Sequence, residues 1–598
     1  MKTKVKAKAI RKGGSFLVEA TPAADVFTPE DFREEHRMIV KTTQEFVNNE
    51  VVPQIEKLEH KDFELTRQLM QQAGSLGLLG ADVEEQYGGA GLDIISSILI
   101  CEYSVGSGSF GVTVNAHAGI GSMPLVFFGS RAQKEKYLTA LATGEKIGAY
   151  ALTEPGAGTD ALSIETTAVL TPDGKYYRLN GTKQFITNGG FADVIFTYAK
   201  VDGDKFTCFV LEKDFQGIST GPEENKMGIR GTSTVSLFLE DAMVPAENLL
   251  FEIGRGHTVA FNILDIGRFK LSAGSVGVAK LALEYAVKYA RERVQFGQPI
   301  CQFGLTKRKI ADMATRTYIA ESMVYRTGGL IDNILAGVDR NADDVGRQSA
   351  KSISEYAIEC SINKVYCSEI VGLIADDAVQ IFGGYGYIED YPVERMYRDC
   401  RIFRIFEGTN EINRLITVGW LMRKALKNEI PFFAAAEKVR ASLQGVKPLS
   451  PSRDGRPLQY QRQLVERGKK LFLFVADAAA RKYGLELEQE QEILGLLSDI
   501  AIEVYAMESG LLRAVKSIES SGEEQSRAKI DMVRLYINDA TIRIGDYAQQ
   551  ILASMETGDV LTGQLLAVAK LLHTTPINGV EARRRIADRI IEAEKYVC

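Results

Sequence analysis

The segment Ile405-Phe-Glu-Gly-Thr-Asn-Glu411 sets a glutamate where a solvated one would not be expected. A lone carboxylate is ordinarily a surface residue. Glu407 departs from that reading because Phe403 and Phe406 stand beside it, and apolar surroundings raise a carboxyl pKa from about 4.3 toward roughly 6 or 7. A carboxylate so poised suits general-base work, and Gly408 lets a ligand carbonyl approach the backbone N–H groups. The second candidate is Tyr150-Ala-Leu-Thr-Glu-Pro-Gly-Ala-Gly-Thr-Asp160. Its Pro-Gly-Ala-Gly centre is a backbone excursion, since Gly156 and Gly158 tolerate positive φ and expose main-chain N–H groups to a ligand. Alone, it would read as an ordinary loop.

Other chemistries find less support. Gly106-Ser-Gly-Ser-Phe-Gly111 satisfies the dinucleotide pattern G-x-G-x-x-G, but the pattern works only between a strand and a helix, with an acidic residue about 20 positions on. The run before it also fits a helix, and the first acid after Gly111 is Glu135, so the match is read as a decoy. Seven scattered cysteines without a C-x-x-C pair imply reduced thiols, and five dispersed histidines offer no metal-ligand spacing, so no metal is expected. The net charge of −7 provides no excess of Lys and Arg for nucleic acid. No apolar run is long enough for a signal peptide or a membrane span. The basic start MKTKVKAKAIRKGG lacks the Ser-rich amphipathic character of a transit peptide, and a cytoplasmic location is expected.

These residues must be positioned by several domains, because 598 residues exceed what one core serves. Helical spacing of apolar residues, as in Leu65-Leu69-Ala73-Leu76, marks an N-terminal helical domain over 28–148. Short β-rich runs at 175–179, 194–201, 206–211 and 233–239 predict a small sheet or barrel over 149–255. Long amphipathic stretches return over 256–428. A Pro/Gly/Ser-rich linker within 429–458 leads to an additional helical domain over 459–598.

Three further segments follow the loop and precede the glutamate in order: Lys183-Gln-Phe-Ile-Thr-Asn-Gly189, Arg293-Val-Gln-Phe-Gly297 and Gln380-Ile-Phe-Gly-Gly-Tyr-Gly386. Together, the five segments resemble the acyl-CoA dehydrogenase family from about residue 30 to 425, and the C-terminal extension resembles its very-long-chain branch. The resemblance implies a mainly α fold with a central β-barrel and a four-helix bundle, and FAD as cofactor. It places the flavin on Tyr150, Leu152, Thr153, Gly158, Thr159, Phe185, Ile186 and Thr187, with Thr409 and Glu411 completing that site. Phe185 stands where many members carry Trp. Arg293, Phe296, Phe303, Gln380, Ile381, Gly383 and Gly384 resemble residues that hold the cofactor of a neighbouring subunit, which implies a homodimer. Thr159, Asp265, Arg268 and Gly408 match positions on the acyl-CoA substrate.

By the same resemblance, Glu407 removes the alpha proton of a fatty acyl thioester while hydride leaves the beta carbon for the flavin, giving a trans-2-enoyl-CoA for fatty acid beta-oxidation. Electrons then pass to an electron-transfer flavoprotein. Some branches carry their base at the position of Gly267, which here has no side chain. Alternatives from the sequence are an acyl-CoA oxidase and a non-catalytic assembly protein retaining the fold. Lys447, Arg453 and Arg456 in the linker could give at most weak membrane adsorption; packing of the extension on its own core is the favoured expectation.

Overall fold

The computed structural model describes residues 10–340, 342–447, 449 and 457–598. The start of the basic N-terminal segment and the linker residues Arg453 and Arg456 lie outside them. Among the described residues, no helix is long and apolar enough to cross a membrane.

Seven α-helices between Glu34 and Ala142 build the first layer, and polar residues set the starts of several. The Asp62, Asp93 and Ser130 side chains each accept the N–H three residues on, which satisfies otherwise unpaired donors of the first turn. The run before Gly106 is the helix Ile94–Tyr103, so the glycine pattern lacks the strand that a dinucleotide cradle requires.

The middle of the chain is an eight-stranded sheet: β1 Gly148–Ala151, β2 Thr167–Leu170, β3 Tyr176–Thr187, β4 Val194–Val201, β5 Lys205–Glu212, β6 Ile218–Thr220, β7 Thr234–Pro245 and β8 Leu249–Leu250. The ladder runs β6-β7-β3-β2-β4-β5-β8, and β1 lies parallel to β4. Strand β4 explains how the sheet is seated. Ile195, Ala199 and Val201 enter the sheet's own apolar core, while Val194, Phe196 and Tyr198 enter the main core shared with the helices. The two-residue period thus glues one sheet to two layers.

Four long helices, Gly256–Glu292, Gly304–Leu335, Ala357–Phe382 and Asn410–Leu426, form the second helical unit. The C-terminal helices Gln459–Tyr483, Gln491–Ser521 and Arg527–Met555 bury Leu471, Phe472 and Val475 completely. They pack on the same chain: the Tyr318 hydroxyl donates to the Gly510 carbonyl at 3.0 Å, and Arg326 meets Glu508 at 2.7 Å. Ahead of residue 28, where sequence reading gave the chain no place, Phe16 and Leu17 are buried, and the Gly14 N–H donates to Glu359 at 2.7 Å. This irregular segment wedges between the bundle and the C-terminal helices, with Phe16 edge-on to Tyr505 at 4.8 Å.

Candidate active site

Glu407 lies between a short 3-10 turn, Arg401–Arg404, and the helix Asn410–Leu426, whose N-cap is Thr409. Its φ is +58°, and that of Gly408 is +80°. A left-handed conformation costs a non-glycine residue about 1–3 kcal/mol and persists only where neighbours over-determine it. Here they do. Arg268 Nε donates to the Glu407 carbonyl at 3.0 Å. The Gly408 carbonyl accepts from Lys364 Nζ at 2.7 Å and from Asn413 Nδ2 at 2.8 Å. Asp265 in turn pairs with Arg268 at 2.8 Å.

Gly267 shows why the carboxylate fits. A Cβ placed there would lie 2.3 Å from Glu407 Oε2, so the missing side chain is the space that Glu407 fills. Oε2 itself is buried without a hydrogen-bond partner. Burial raises the Glu407 pKa to about 7, against the opposing charges of Arg268 and Lys364. The carboxyl group therefore titrates near neutrality and keeps a free lone pair, which are the two properties a general base needs.

That carboxylate faces an elongated, largely apolar cavity. Its floor is one face of the helix Gly256–Glu292, through Gly267, Leu271, Gly274, Val278, Leu281 and Tyr285. Gly267 and Tyr285 are eighteen residues apart, roughly 27 Å at about 1.5 Å per residue. Gly106, Gly108 and Gly111 form part of the opposite wall. The decoy motif is thus a stretch of cavity wall.

Thr187 borders the same cavity. It ends β3, whose pairing with β7 shifts register between Lys183 and Ile186. Such a bulge re-aims a side chain: Phe185, at φ +60°, is 58% exposed, while Ile186 is buried. The Gln184 N–H donates to the Thr153 carbonyl at 2.8 Å, which sets the 150–159 loop beside this strand end. The loop is anchored from beneath, because Glu154 pairs with the fully buried Lys183 at 2.6 Å and accepts from the Glu165 N–H at 2.5 Å. Tyr150 and Leu152 are buried behind it, whereas Gly158 and Thr159 are exposed. A Cβ on Gly156 or Gly158 would meet nothing within 4 Å, so a ligand can reach the backbone there.

The remaining expected residues gather elsewhere. Arg293, Ile381, Gly383 and Gly384 line a separate cleft at the ends of the Gly256–Glu292 and Ala357–Phe382 helices, and Gln380 is exposed beside it. Arg293 lies over the Tyr385 ring at 5.6 Å. Phe296 is 96% exposed, at the tip of a two-residue hairpin, and meets Phe303 edge-on. One copy of the chain therefore does not bring this group to Glu407. Asp265 and Arg268 stand behind the backbone of Glu407, off the cavity wall. Glu411 lies in the first turn after Thr409. Sequence reasoning missed Lys364 and Asn413; the one available signal was a lysine inside the apolar run of the Ala357–Phe382 helix.

Along its length the chain is similar to known proteins. The acyl-CoA dehydrogenase N-terminal, middle and C-terminal domain families match residues 33–145, 149–242 and 254–422, and a further acyl-CoA dehydrogenase C-terminal domain family matches 467–570. A probable acyl-CoA dehydrogenase of Bacillus subtilis is 51% identical over 591 residues, covering 99% of both chains. The human mitochondrial very long-chain specific acyl-CoA dehydrogenase is 38% identical over 479 residues, 74% of this chain and 69% of its own. The crystal structure of an acyl-CoA dehydrogenase complexed with FAD from Bacillus anthracis superposes with a TM-score of 0.96 at 51% identity, over 98% of this chain and all of that one. With a fold and sequence matched along nearly its whole length, this chain belongs to the acyl-CoA dehydrogenase family.

Proposed function

We propose that the protein desaturates long-chain fatty acyl-CoA between the alpha and beta carbons, with Glu407 as base and FAD as electron acceptor. The observation that carries this reading is the buried, unpartnered Glu407 oxygen beside a cavity whose floor follows the Gly256–Glu292 helix from Gly267 to Tyr285, roughly 27 Å by helix rise. An extended alkyl chain advances about 1.3 Å per carbon, given C–C bonds of about 1.5 Å, so roughly 20 carbons fit along the floor. Lined mostly by glycine, aliphatic and aromatic residues, with Asn115, Lys270, Arg395 and Asp399 also on its wall, this space suits an alkyl chain.

The residues at the loop and strand end fit a flavin. Phe185 presents an open aromatic face, Gly156 and Gly158 leave the backbone accessible, and Thr187 holds a hydroxyl beside the cavity that Glu407 faces. When bound, the flavin supplies the acceptor for the two electrons leaving the beta carbon. Glu407 takes the alpha proton on Oε2, and the left-handed turn at Gly408 leaves backbone close to the thioester carbonyl, where a developing enolate gains stabilisation. Arg293, Phe296 and the Gln380–Gly384 segment would hold the cofactor of a partner copy, making the working unit a homodimer; the exposure of Arg293, Phe296, Gln380, Gly383 and Gly384 and their place in a cleft separate from the Glu407 cavity support this. An electron-transfer flavoprotein as the onward acceptor, a place in beta-oxidation and a cytoplasmic location complete the reading.

Anaerobic mixing of the FAD-loaded protein with palmitoyl-CoA should bleach the flavin absorbance, and butyryl-CoA should do so far more slowly. Glu407→Gln should lose at least about 10²-fold in that rate, the usual contribution of a general base. Bleaching that survives in this variant would place the base elsewhere.

A further inference from the structure

We propose that Lys364 is a positioning residue for this reaction: donating to the Gly408 carbonyl and to Asn410, it fixes the left-handed turn that carries Glu407 and provides the positive charge that keeps the base anionic. This rests on the reading of Glu407 as the base. The starting observation is an exception to a pattern. Lys134, Lys183, Lys270, Lys424, Lys469 and Lys529 are buried, and each meets a carboxylate oxygen within 3.3 Å. Lys364, with no exposed surface, has no carboxylate within ion-pair reach among the described residues. Its Nζ donates instead to the Gly408 carbonyl at 2.7 Å and to Asn410 Oδ1 at 2.7 Å.

A buried ammonium without a carboxylate is costly, and a fold that retains one needs compensation nearby. The charges around it leave a single open partner. On the Gly256–Glu292 helix, Arg268 is already offset by Asp265 at 2.8 Å. On the lysine's own helix, Glu369 is taken by Arg414 at 2.8 Å. Glu411 is exposed at the start of the next helix, and Tyr150 on β1 is neutral, its hydroxyl pushed far up by burial. What remains is Glu407, whose Oε2 has no partner. Burial pulls the Lys364 pKa down to about 7 while the charge of Glu407 opposes the fall, and in Glu407 the lysine opposes the rise caused by burial. Each group thus helps to keep the other charged.

Two substitutions separate geometry from charge. Lys364→Gln keeps donors for the Gly408 carbonyl without the charge; Lys364→Met removes both. The FAD-loaded variants and wild type are mixed anaerobically with palmitoyl-CoA across pH, and the flavin-reduction rate is expressed per bound flavin. Loss of the cation should move the acid limb of the profile upward by about one pH unit in both variants, the lower end of the effect of a nearby opposite charge. At high pH, Lys364→Gln should retain a plateau about tenfold above that of Lys364→Met, since it still holds the turn. Acid limbs and plateaus in both variants that match wild type within about twofold, well below the effect of one charge, would overturn the proposal. A plateau lost in Lys364→Met with no shift in either limb would likewise remove the electrostatic role. Should Lys364→Met not fold, the limb of Lys364→Gln decides alone. If wild-type protein is not reduced by acyl-CoA, or Glu407→Gln keeps its rate, the reading of Glu407 fails first, and independently of the lysine.

Discussion

Gly267→Ala is the sharpest available perturbation of the site, because it adds one methyl group at a known distance from the reacting carboxylate. The new Cβ would stand 2.3 Å from Glu407 Oε2, 2.7 Å from its carboxyl carbon and 3.1 Å from Oε1. Ordinary contact begins at 3.4 Å, so Oε2 must retreat by about 1.1 Å, and misplacing a reacting group by 1 Å costs about 10²-fold in rate. The backbone provides no competing effect: position 267 lies inside the Gly256–Glu292 helix, and alanine there gains up to about 1 kcal/mol of helix propensity. That gain offsets up to about 1 kcal/mol of the cost of crowding, typically about 1–3 kcal/mol. The expected outcome is therefore a folded, flavin-loaded protein with a melting temperature within a few degrees of wild type, whose anaerobic reduction by palmitoyl-CoA is slower by about two orders of magnitude. Stopped-flow absorbance with a matched thermal melt measures both quantities. A reduction rate within about threefold of wild type would show that Glu407 tolerates the shift, and the requirement for an empty position 267 would be refuted.

The remaining predictions probe other parts of the molecule. His117 is fully buried, with Nδ1 accepting from the Gly148 N–H at 2.9 Å, and burial lowers its pKa to about 4. The unfolded chain therefore binds the extra proton first, and stability falls as pH drops from about 6.5 toward 4, by about 3 kcal/mol in all; melting temperatures of wild type and His117→Gln should converge in acid. Arg293→Ala should purify with less flavin and melt lower by mass action, and full flavin occupancy in dilute protein would argue against a phosphate-clamping role. Truncation after Lys427 should expose the surface around Tyr318 and Ile319, now covered at Gly510, and leave the protein aggregated; a monodisperse truncated dimer would show that the bundle needs no such cover.

What the sequence made legible follows from periodicity. The β-rich runs read at 194–201 and 206–211 are strands at Val194–Val201 and Lys205–Glu212, because short runs rich in β-branched and aromatic residues between Gly, Asp and Asn turns favour strands. The long helices were equally plain from their apolar spacing. Residues 13–26 were not: residues 13–17, Ala23 and Val26 are buried, but in short 3-10 turns and irregular backbone that have no period to detect. The bulge that turns Phe185 outward left no sign in Lys183-Gln-Phe-Ile-Thr, because register is decided by the partner strand β7. Lys364 was invisible for a related reason: in sequence it is one lysine of many, and only the surrounding chain reveals that its acceptor is a carbonyl of the Glu407 turn.

Glu154 and Glu407 show how far motif chemistry reaches. Both are glutamates beside glycine-rich turns; Glu154 is buried, and Glu407 is half-buried with its Oε2 out of solvent. Their surroundings then divide them. Glu154 meets the Lys183 ammonium at 2.6 Å and accepts from the N–H groups of Glu165 and Thr166, so its pKa falls and its charge is spent on holding the 155–158 loop. Glu407 meets no donor at Oε2, its nearest cations act on its backbone or at longer range, and its pKa rises to about 7. A carboxylate saturated with donors has no lone pair left for a substrate proton, whatever its position in a conserved-looking motif. The unsatisfied oxygen that would count as a defect in a structural residue is, at Glu407, the feature that makes proton transfer available. Substituting Glu154 should therefore unmoor a loop, while substituting Glu407 should leave the fold in place and remove the base.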